Sequence, residues 1–125
     1  MTNLDKVYAT FEKYKIGEEL SRTDIIRLVN TQYGVSKGSI IPSDYCYNLV
    51  NKDKLCNPAL LEFNIFEYID AKKYLYIGKK YKYSGPIFRK IDSTYQEVGK
   101  WIDGIRILGN GRNKEAAKES CSRNE

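Results

Sequence analysis

The stretch that decides the fold is FEYIDAKKYLYIG, residues 66–78, together with KKYKYSGPIF, residues 79–88. Aromatic and β-branched side chains lie on both sides of the turn-like DAKK, a pattern typical of a β-hairpin. The second segment continues in an extended, alternating manner and is broken by Ser84, Gly85 and Pro86, which is a strong loop signal. We therefore predict a hairpin wing that reaches to about residue 91.

Three amphipathic stretches precede this hairpin. Apolar residues at helical spacing predict helices over residues 3–14 and 22–33, with Ser21 and Asp24 as a weakened capping box and Gly34 as the stop signal. In SIIPSDYCYNLVNK, residues 39–52, Ser39 can cap a third helix and Pro42 fits its first turn, which predicts a helix over 39–50. Three helices followed by a hairpin are the order of a winged helix-turn-helix, a fold of the α+β class.

The remainder of the chain divides into two parts. We expect residues 1–91 to form the winged-helix-like domain, 92–108 a short docked C-terminal extension, and 109–125 a flexible tail with few apolar groups. Val98, Trp101 and Leu108 lie near helical spacing in the extension, but Gly99 and Gly104 interrupt the pattern. A short helix and a pair of strands both remain open for this segment.

Composition excludes several function classes. The chain has no histidine, so the usual general base and the usual zinc ligand are missing, and we expect no catalytic apparatus, metal or cofactor. Cys46, Cys56 and Cys121 are odd in number and widely spaced, which argues against a disulfide framework and favours a reducing cytoplasm. Cys46 lies in an apolar pattern and is interpreted as a core residue. No apolar run is long enough for a membrane span.

Positive charge is concentrated in one part of the chain. Residues 71–91 hold seven basic and no acidic side chains, whereas residues 1–70 hold eight basic and ten acidic ones, and residues 92–125 hold six of each. Tyrosines interleave with these lysines, a mixture that can contact a sugar-phosphate backbone. The alternative is that the lysines solvate the outer face of a hairpin while the tyrosines line its inner face.

A winged helix gives each of these features a role. The wing would neutralise phosphates, and helix three would donate hydrogen bonds to base edges, with Asn48 as the best candidate for contact with an adenine. The predicted nucleic-acid-binding residues are Lys37, Ser39, Ser43, Tyr47, Asn48, Lys72, Lys73, Lys79, Lys80, Tyr81, Lys82 and Arg89.

Two segments carry a family resemblance. YGVSKGSIIPSDYCYN and FEYIDAKKYLYIGKKYKYSGPI resemble a small winged-helix-like domain of uncharacterised function found in bacteria, in some cases fused to HNH-type restriction endonucleases. The resemblance covers residues 3–88 and implies reading of DNA sequence or modification for a linked or partner nuclease. An HNH nuclease needs histidine, and this sequence has none. The resemblance therefore implies a stand-alone reader, a truncated relative, or a regulator in a phage or bacterial defence setting.

Three functional hypotheses follow. The first is a cytoplasmic, double-stranded DNA-binding module. The second is a protein-interaction or inhibitory module, such as an anti-defence protein, whose basic, tyrosine-rich surface binds a protein partner such as a nuclease or a defence complex. The third is binding to RNA or single-stranded nucleic acid, which lysines interleaved with tyrosines also suit.

Overall fold

The computed structural model describes residues 1–70 and 72–108, and within them the chain is mostly β with few helices. The helices are α1 (Asn3–Phe11), α2 (Arg22–Tyr33), α3 (Lys52–Leu55) and α4 (Pro58–Glu62), and two short 3₁₀ turns cover Lys37–Ser39 and Pro42–Tyr45. The strands are β1 (Glu19–Leu20), β2 (Leu49–Val50), β3 (Phe66–Asp70), β4 (Lys73–Tyr76), β5 (Gly85–Ile91), β6 (Thr94–Ile102) and β7 (Ile105–Leu108).

A three-stranded antiparallel sheet of order β1-β4-β3 forms the first layer. Its buried face packs with α1 and α2 around one hydrophobic core. Phe11 lies at the centre of this core, in edge-to-face contact with Phe66 at 5.2 Å between ring centroids. The two helices contribute the fully buried aliphatic side chains of Val7, Ile25 and Val29.

A four-stranded sheet of order β2-β5-β6-β7 forms the second layer. Strand β2 runs parallel to β5, and the other pairs are antiparallel. A second hydrophobic core lies on this sheet and contains Tyr47, Val50, Ile87 and Trp101. The Tyr47 ring stacks on Tyr83 at 5.2 Å, and its main-chain carbonyl accepts a hydrogen bond from Trp101 Nε1 at 2.8 Å.

The predicted winged helix-turn-helix is wrong. The described residues hold seven strands in two sheets, and no third helix of the predicted length precedes the hairpin. The predicted border between residues 91 and 92 lies at the tip of the β5–β6 hairpin. Of the two alternatives for residues 92–108, the structure shows the strand pair, β6 with β7. The predicted tail, 109–125, lies outside the described residues.

Helix three was predicted over residues 39–50, where the chain instead makes a 3₁₀ turn and then strand β2. A surface helix buries one stripe, but this segment is buried on two sides. Tyr45, Cys46 and Leu49 pack into the first core, while Tyr47 and Val50 pack into the second. The segment is therefore extended because it lies between the two cores.

The predicted wing is divided between the two sheets. Residues 66–76 do form the expected β3–β4 hairpin, which is confirmed by the pairing of Phe66 with Tyr76 and of Tyr68 with Tyr74. The following segment was expected to extend this wing and does not. Strand β5 leaves the hairpin and pairs with β2 and β6 in the second sheet. No single wing therefore presents the basic residues of 71–91.

The first two predicted helices are confirmed, although α1 ends at Phe11. Ser21 accepts a hydrogen bond from the Asp24 N–H, and the Asp24 carboxylate accepts one from the Ser21 N–H, so the capping box is complete. These hydrogen bonds hold the pKa of Asp24 below its ordinary value. Gly34 ends α2 with φ 67°, a left-handed conformation that glycine adopts without steric cost.

A buried ammonium group joins the two layers. Lys54 is only 1 % exposed, and its Nζ donates to the carbonyls of Cys46 at 2.7 Å and Leu49 at 3.0 Å and to Asn64 Oδ1 at 2.7 Å. An ammonium has three N–H donors, and all three are used here. Burial nevertheless penalises the charged form and lowers the pKa of Lys54 to about 8.

The pKa of Lys54 predicts a pH-dependent contribution to stability. The folded value of about 8 lies below the ordinary 10.5, so between these values the unfolded chain binds more protons and the unfolding free energy rises with pH. The unfolding free energy of the wild type minus that of Lys54→Met should therefore rise by about 1.5 kcal/mol from about pH 8 to about pH 9.5. Urea denaturation followed by fluorescence of Trp101 measures it.

Lys52→Met is the matched control, because Lys52 lies on the same short helix but is exposed. The pH dependence of its difference from wild type is the baseline with which that of Lys54→Met is compared. A difference for Lys54→Met that only follows this baseline would contradict a depressed pKa at Lys54.

Candidate anion-binding cleft

Tyr47, a predicted binding residue, is a structural residue of the second core. It is 4 % exposed, its hydroxyl donates to the Gly78 carbonyl at 2.8 Å, and the same oxygen accepts from the Tyr81 N–H at 3.0 Å. These two bonds hold the loop between β4 and β5 against the core. Burial raises the pKa of Tyr47.

Asn48, predicted to contact a base edge, is used in the same structural way. Its Nδ2 donates to the Tyr68 carbonyl at 2.8 Å, and its Oδ1 accepts from the Tyr68 N–H at 2.9 Å. The side-chain amide thus mimics the backbone of a neighbouring strand beside β3. Both polar atoms of the side chain are occupied within the fold.

The basic residues predicted for the wing lie at separate places. Lys73 forms an ion pair with Glu19 at 3.7 Å, and Lys79 Nζ lies 4.8 Å from the centre of the Tyr8 ring on α1. Lys82 packs against Gly104, and it is Gly104 that lies in the turn between β6 and β7. The other predicted binding residues outside the cleft are exposed in turns and loops: Lys37, Ser39, Lys72, Lys80 and Tyr81.

Two predicted residues, Ser43 and Arg89, are brought together in a cleft of about 350 Å³. Three further polar side chains at its rim were not predicted: Lys52, Lys90 and Tyr95. The floor and the rest of the lining come from Leu49, Val50 and Asn51.

The cleft exists because β2 is much shorter than β5. Strand β2 pairs with Phe88 and Arg89 and then turns into α3, whereas β5 continues to Ile91. Successive residues of a strand point to opposite faces, so Arg89 and Lys90 approach the cleft from the two sides of the β5 edge. The first turn of α3 places Lys52 on the facing side.

The three cations of the cleft have no acidic partner among the described residues. The ion pairs among the described residues involve other groups, and Lys52, Arg89 and Lys90 take part in none of them. Arg89 is partly buried, and its guanidinium makes no hydrogen bond to a described residue. Unpaired cations in a concave site favour the binding of an anion.

Asn51 builds the wall of the cleft. Its Nδ2 donates to Asp44 Oδ1 at 2.6 Å, and its Oδ1 accepts from the Lys54 N–H at 2.8 Å as the N-cap of α3. Burial raises the pKa of Asp44, while the hydrogen bond from Asn51 acts in the opposite direction. The amide of Asn51 is therefore committed to the fold, which leaves Ser43 and the cations to contact a ligand.

Tyr95 closes one side of the cleft and is 45 % exposed. Its position is fixed by two neighbours. Its ring lies beside that of Tyr68, with 6.0 Å between the two ring centroids. Lys90, its cross-strand partner, lies with Nζ 5.9 Å from the centre of the ring.

Sequence reasoning missed Tyr95 because residues 92–108 were treated as an extension apart from the wing. Lys90 was counted among the basic residues of 71–91 but was not named as a binding residue. The available signal was the short segment IDST, residues 91–94, between two runs that can pair. Asp92 and Ser93 both have positive φ at this tip, a two-residue hairpin geometry that aspartate tolerates. Reading this hairpin places Lys90 opposite Tyr95.

Comparisons with known proteins identify relatives without a known role. A family model described as a domain of unknown function, DUF7225, matches residues 2–108. The uncharacterized protein YnaC of Bacillus subtilis (strain 168) is 39 % identical over 98 residues, which are 77 % of this chain and 35 % of that protein. The chain thus spans about a third of the length of this relative. No solved structure matches.

These matches agree with the resemblance to an uncharacterised bacterial domain, and neither of their descriptions supports a fusion to an HNH nuclease. No helix within the described residues has the length and apolar character needed to cross a membrane.

Asn48→Ala should lower stability because it removes both hydrogen bonds to Tyr68 and leaves partly buried backbone groups unpaired. We expect a loss of about 2 kcal/mol in unfolding free energy, measured by urea denaturation. Asn3→Ala is the control, since Asn3 is an exposed amide without a hydrogen bond from its side chain. Equal stability of the two variants would contradict the structural role of Asn48.

Proposed function

The chain belongs to the DUF7225 family, and we propose that it is a nucleic-acid-binding module that holds the sugar-phosphate backbone in the cationic cleft. One observation carries the proposal: Lys52, Arg89 and Lys90 converge on a cleft without an acidic partner among the described residues. Cations that have no partner within the fold gain most from an external phosphate.

The chemistry of the three groups suits phosphate. The guanidinium of Arg89 can donate two parallel hydrogen bonds to one phosphate, whereas Lys52 and Lys90 act as point charges. The Ser43 hydroxyl makes no hydrogen bond to a described residue and can contact a sugar or phosphate oxygen.

The lysines outside the cleft contribute at longer range. The chain carries a net charge of +5, and Lys72, Lys80 and Lys82 are exposed. Such a field attracts polyanions and accelerates their association, with strong dependence on ionic strength. These residues therefore favour a polymer of phosphates over a small anion.

We propose that the protein binds its ligand in the cytoplasm and performs no reaction of its own. Without histidine the chain lacks the usual metal ligand and general base of a nuclease. Any cleavage associated with it would belong to another segment or to a partner, as the resemblance to domains fused to nucleases implies. A regulatory role in a phage or bacterial defence setting fits the same division of labour.

Protein interaction is a second candidate, and a different surface favours it. Three isoleucines are exposed on the paired strands β6 and β7: Ile102 at 46 %, Ile105 at 67 % and Ile107 at 43 %. Grouped exposed apolar side chains mark interaction sites. A partner captured from a nuclease-treated lysate by wild type, and lost with Ile105→Lys/Ile107→Lys, would support this function.

The cleft variant Lys52→Gln/Arg89→Gln/Lys90→Gln tests nucleic-acid binding. Fluorescence anisotropy with a labelled oligonucleotide, single-stranded and duplex, gives the dissociation constant over a series of salt concentrations. Removing about three phosphate contacts should make the slope of log K against log salt shallower by about 2 to 3. Because the lost contacts are electrostatic, the dissociation constant of the variant at low salt should be higher than that of the wild type.

Lys6→Gln/Lys13→Gln/Lys15→Gln is the matched control, since it removes the same charge from α1 and the residues after it. This variant should keep nearly the full slope. Equal loss in both variants would indicate a nonspecific effect of net charge. No binding of either nucleic acid by wild type at low salt would refute the proposed function.

A further inference from the structure

We infer that the cleft takes one nucleotide of a single strand, with its base against Tyr95 and its phosphate on Arg89 and Lys52. This inference rests on the proposed function and deepens it. It names the strand state of the ligand and separates a residue that contacts the base from residues that contact the phosphate.

The size of the cleft argues for one nucleotide unit. At about 350 Å³ it lies at the lower end of the volumes that enclose small organic ligands. A duplex presents a convex cylinder and is normally read by a helix or ribbon that projects into a groove. Here the cations line a concave edge instead, between the first turn of α3 and strand β5.

Two kinds of side chain in the cleft match the two chemical parts of a nucleotide. Lys52, Arg89 and Ser43 supply positive charge and donors that suit a phosphate. Tyr95 supplies an aromatic surface. Lys90 lines the cleft beside it, with its Nζ 5.9 Å from the centre of the Tyr95 ring. Basic grooves lined by aromatic rings are the usual means of binding single strands without base specificity.

Tyr95 is held in place before any ligand arrives. The neighbouring Tyr68 ring, at 6.0 Å between centroids, and the cross-strand position opposite Lys90 restrict the rotation of a side chain that is otherwise 45 % exposed. A restrained ring loses little conformational entropy when a base packs on it.

The decisive experiment compares an oligothymidylate with a strand of equal length in which every base is replaced by an abasic residue. Both carry the same phosphates, so the ratio of their dissociation constants isolates the contribution of the bases. We expect wild type to bind the thymidylate roughly 5- to 150-fold more tightly, which is the range for stacking of one base. We also expect weaker binding of a duplex of the same length.

Three variants locate the base contact. Tyr95→Leu should bind the thymidylate and the abasic strand alike, whereas Tyr95→Phe, which keeps the ring, should retain at least most of the ratio. Tyr81→Leu is the matched control, because Tyr81 is similarly exposed, at 47 %, but lies on the loop between β4 and β5. It should leave the ratio unchanged. Thermal melting confirms that each variant is folded.

The outcomes separate this inference from the proposed function. Tight binding of both strands with equal affinity, or preference for the duplex, would overturn the inference and leave the function standing. Binding of free thymidine monophosphate as tight as that of the strand would also overturn it, since the ligand would then be a mononucleotide. Failure of every nucleic acid to bind would overturn both.

Discussion

The buried ammonium of Lys54 is the interaction on which the arrangement of the two layers depends. Its three acceptors come from the segment before β2, from β2 itself and from the segment before β3. Burying a charge costs several kcal/mol unless its hydrogen bonds are complete, so the three segments must meet at one point. Asn64 is fixed in turn, because its Nδ2 donates to the Leu61 carbonyl at 3.1 Å.

The cleft inherits its geometry from this buried group. Asn51 caps the helix that carries Lys54 and binds Asp44, so the wall of the cleft and the anchor of the fold lie within four residues. Lys52 and Lys54 are two positions apart on the same short helix, yet one is exposed at the cleft and the other is buried. The same helix thus supplies a structural cation and a cation available to a ligand.

Tyrosine has two distinct uses in this protein. Tyr47 and Tyr83 stack in the second core, where the Tyr83 hydroxyl donates to Glu67 at 2.7 Å. Tyr74 and Tyr76 are buried in the first core. Tyr95 is partly exposed at the cleft. Strand alternation, as the hairpin alternative considered from sequence supposed, therefore accounts for Lys73, Tyr74 and Tyr76, whereas residues 79–83 lie in the loop between β4 and β5. Lys90 and Tyr95 are a separate cross-strand pair.

Local interactions explain what the sequence by itself determined: helices α1 and α2, the capping box of Ser21 and Asp24, the β3–β4 hairpin and the core position of Cys46. Each depends on contacts within a few residues or on an apolar pattern. Only the tertiary structure decided that residues 49–50 pair with 88–89 and that residues 66–91 divide between two sheets. These choices depend on parallel pairing across about forty residues and on burial on both sides of one segment, which no local pattern encodes. The cleft lies at that pairing, so sequence reasoning found Ser43 and Arg89 but not Lys52, Lys90 and Tyr95 beside them.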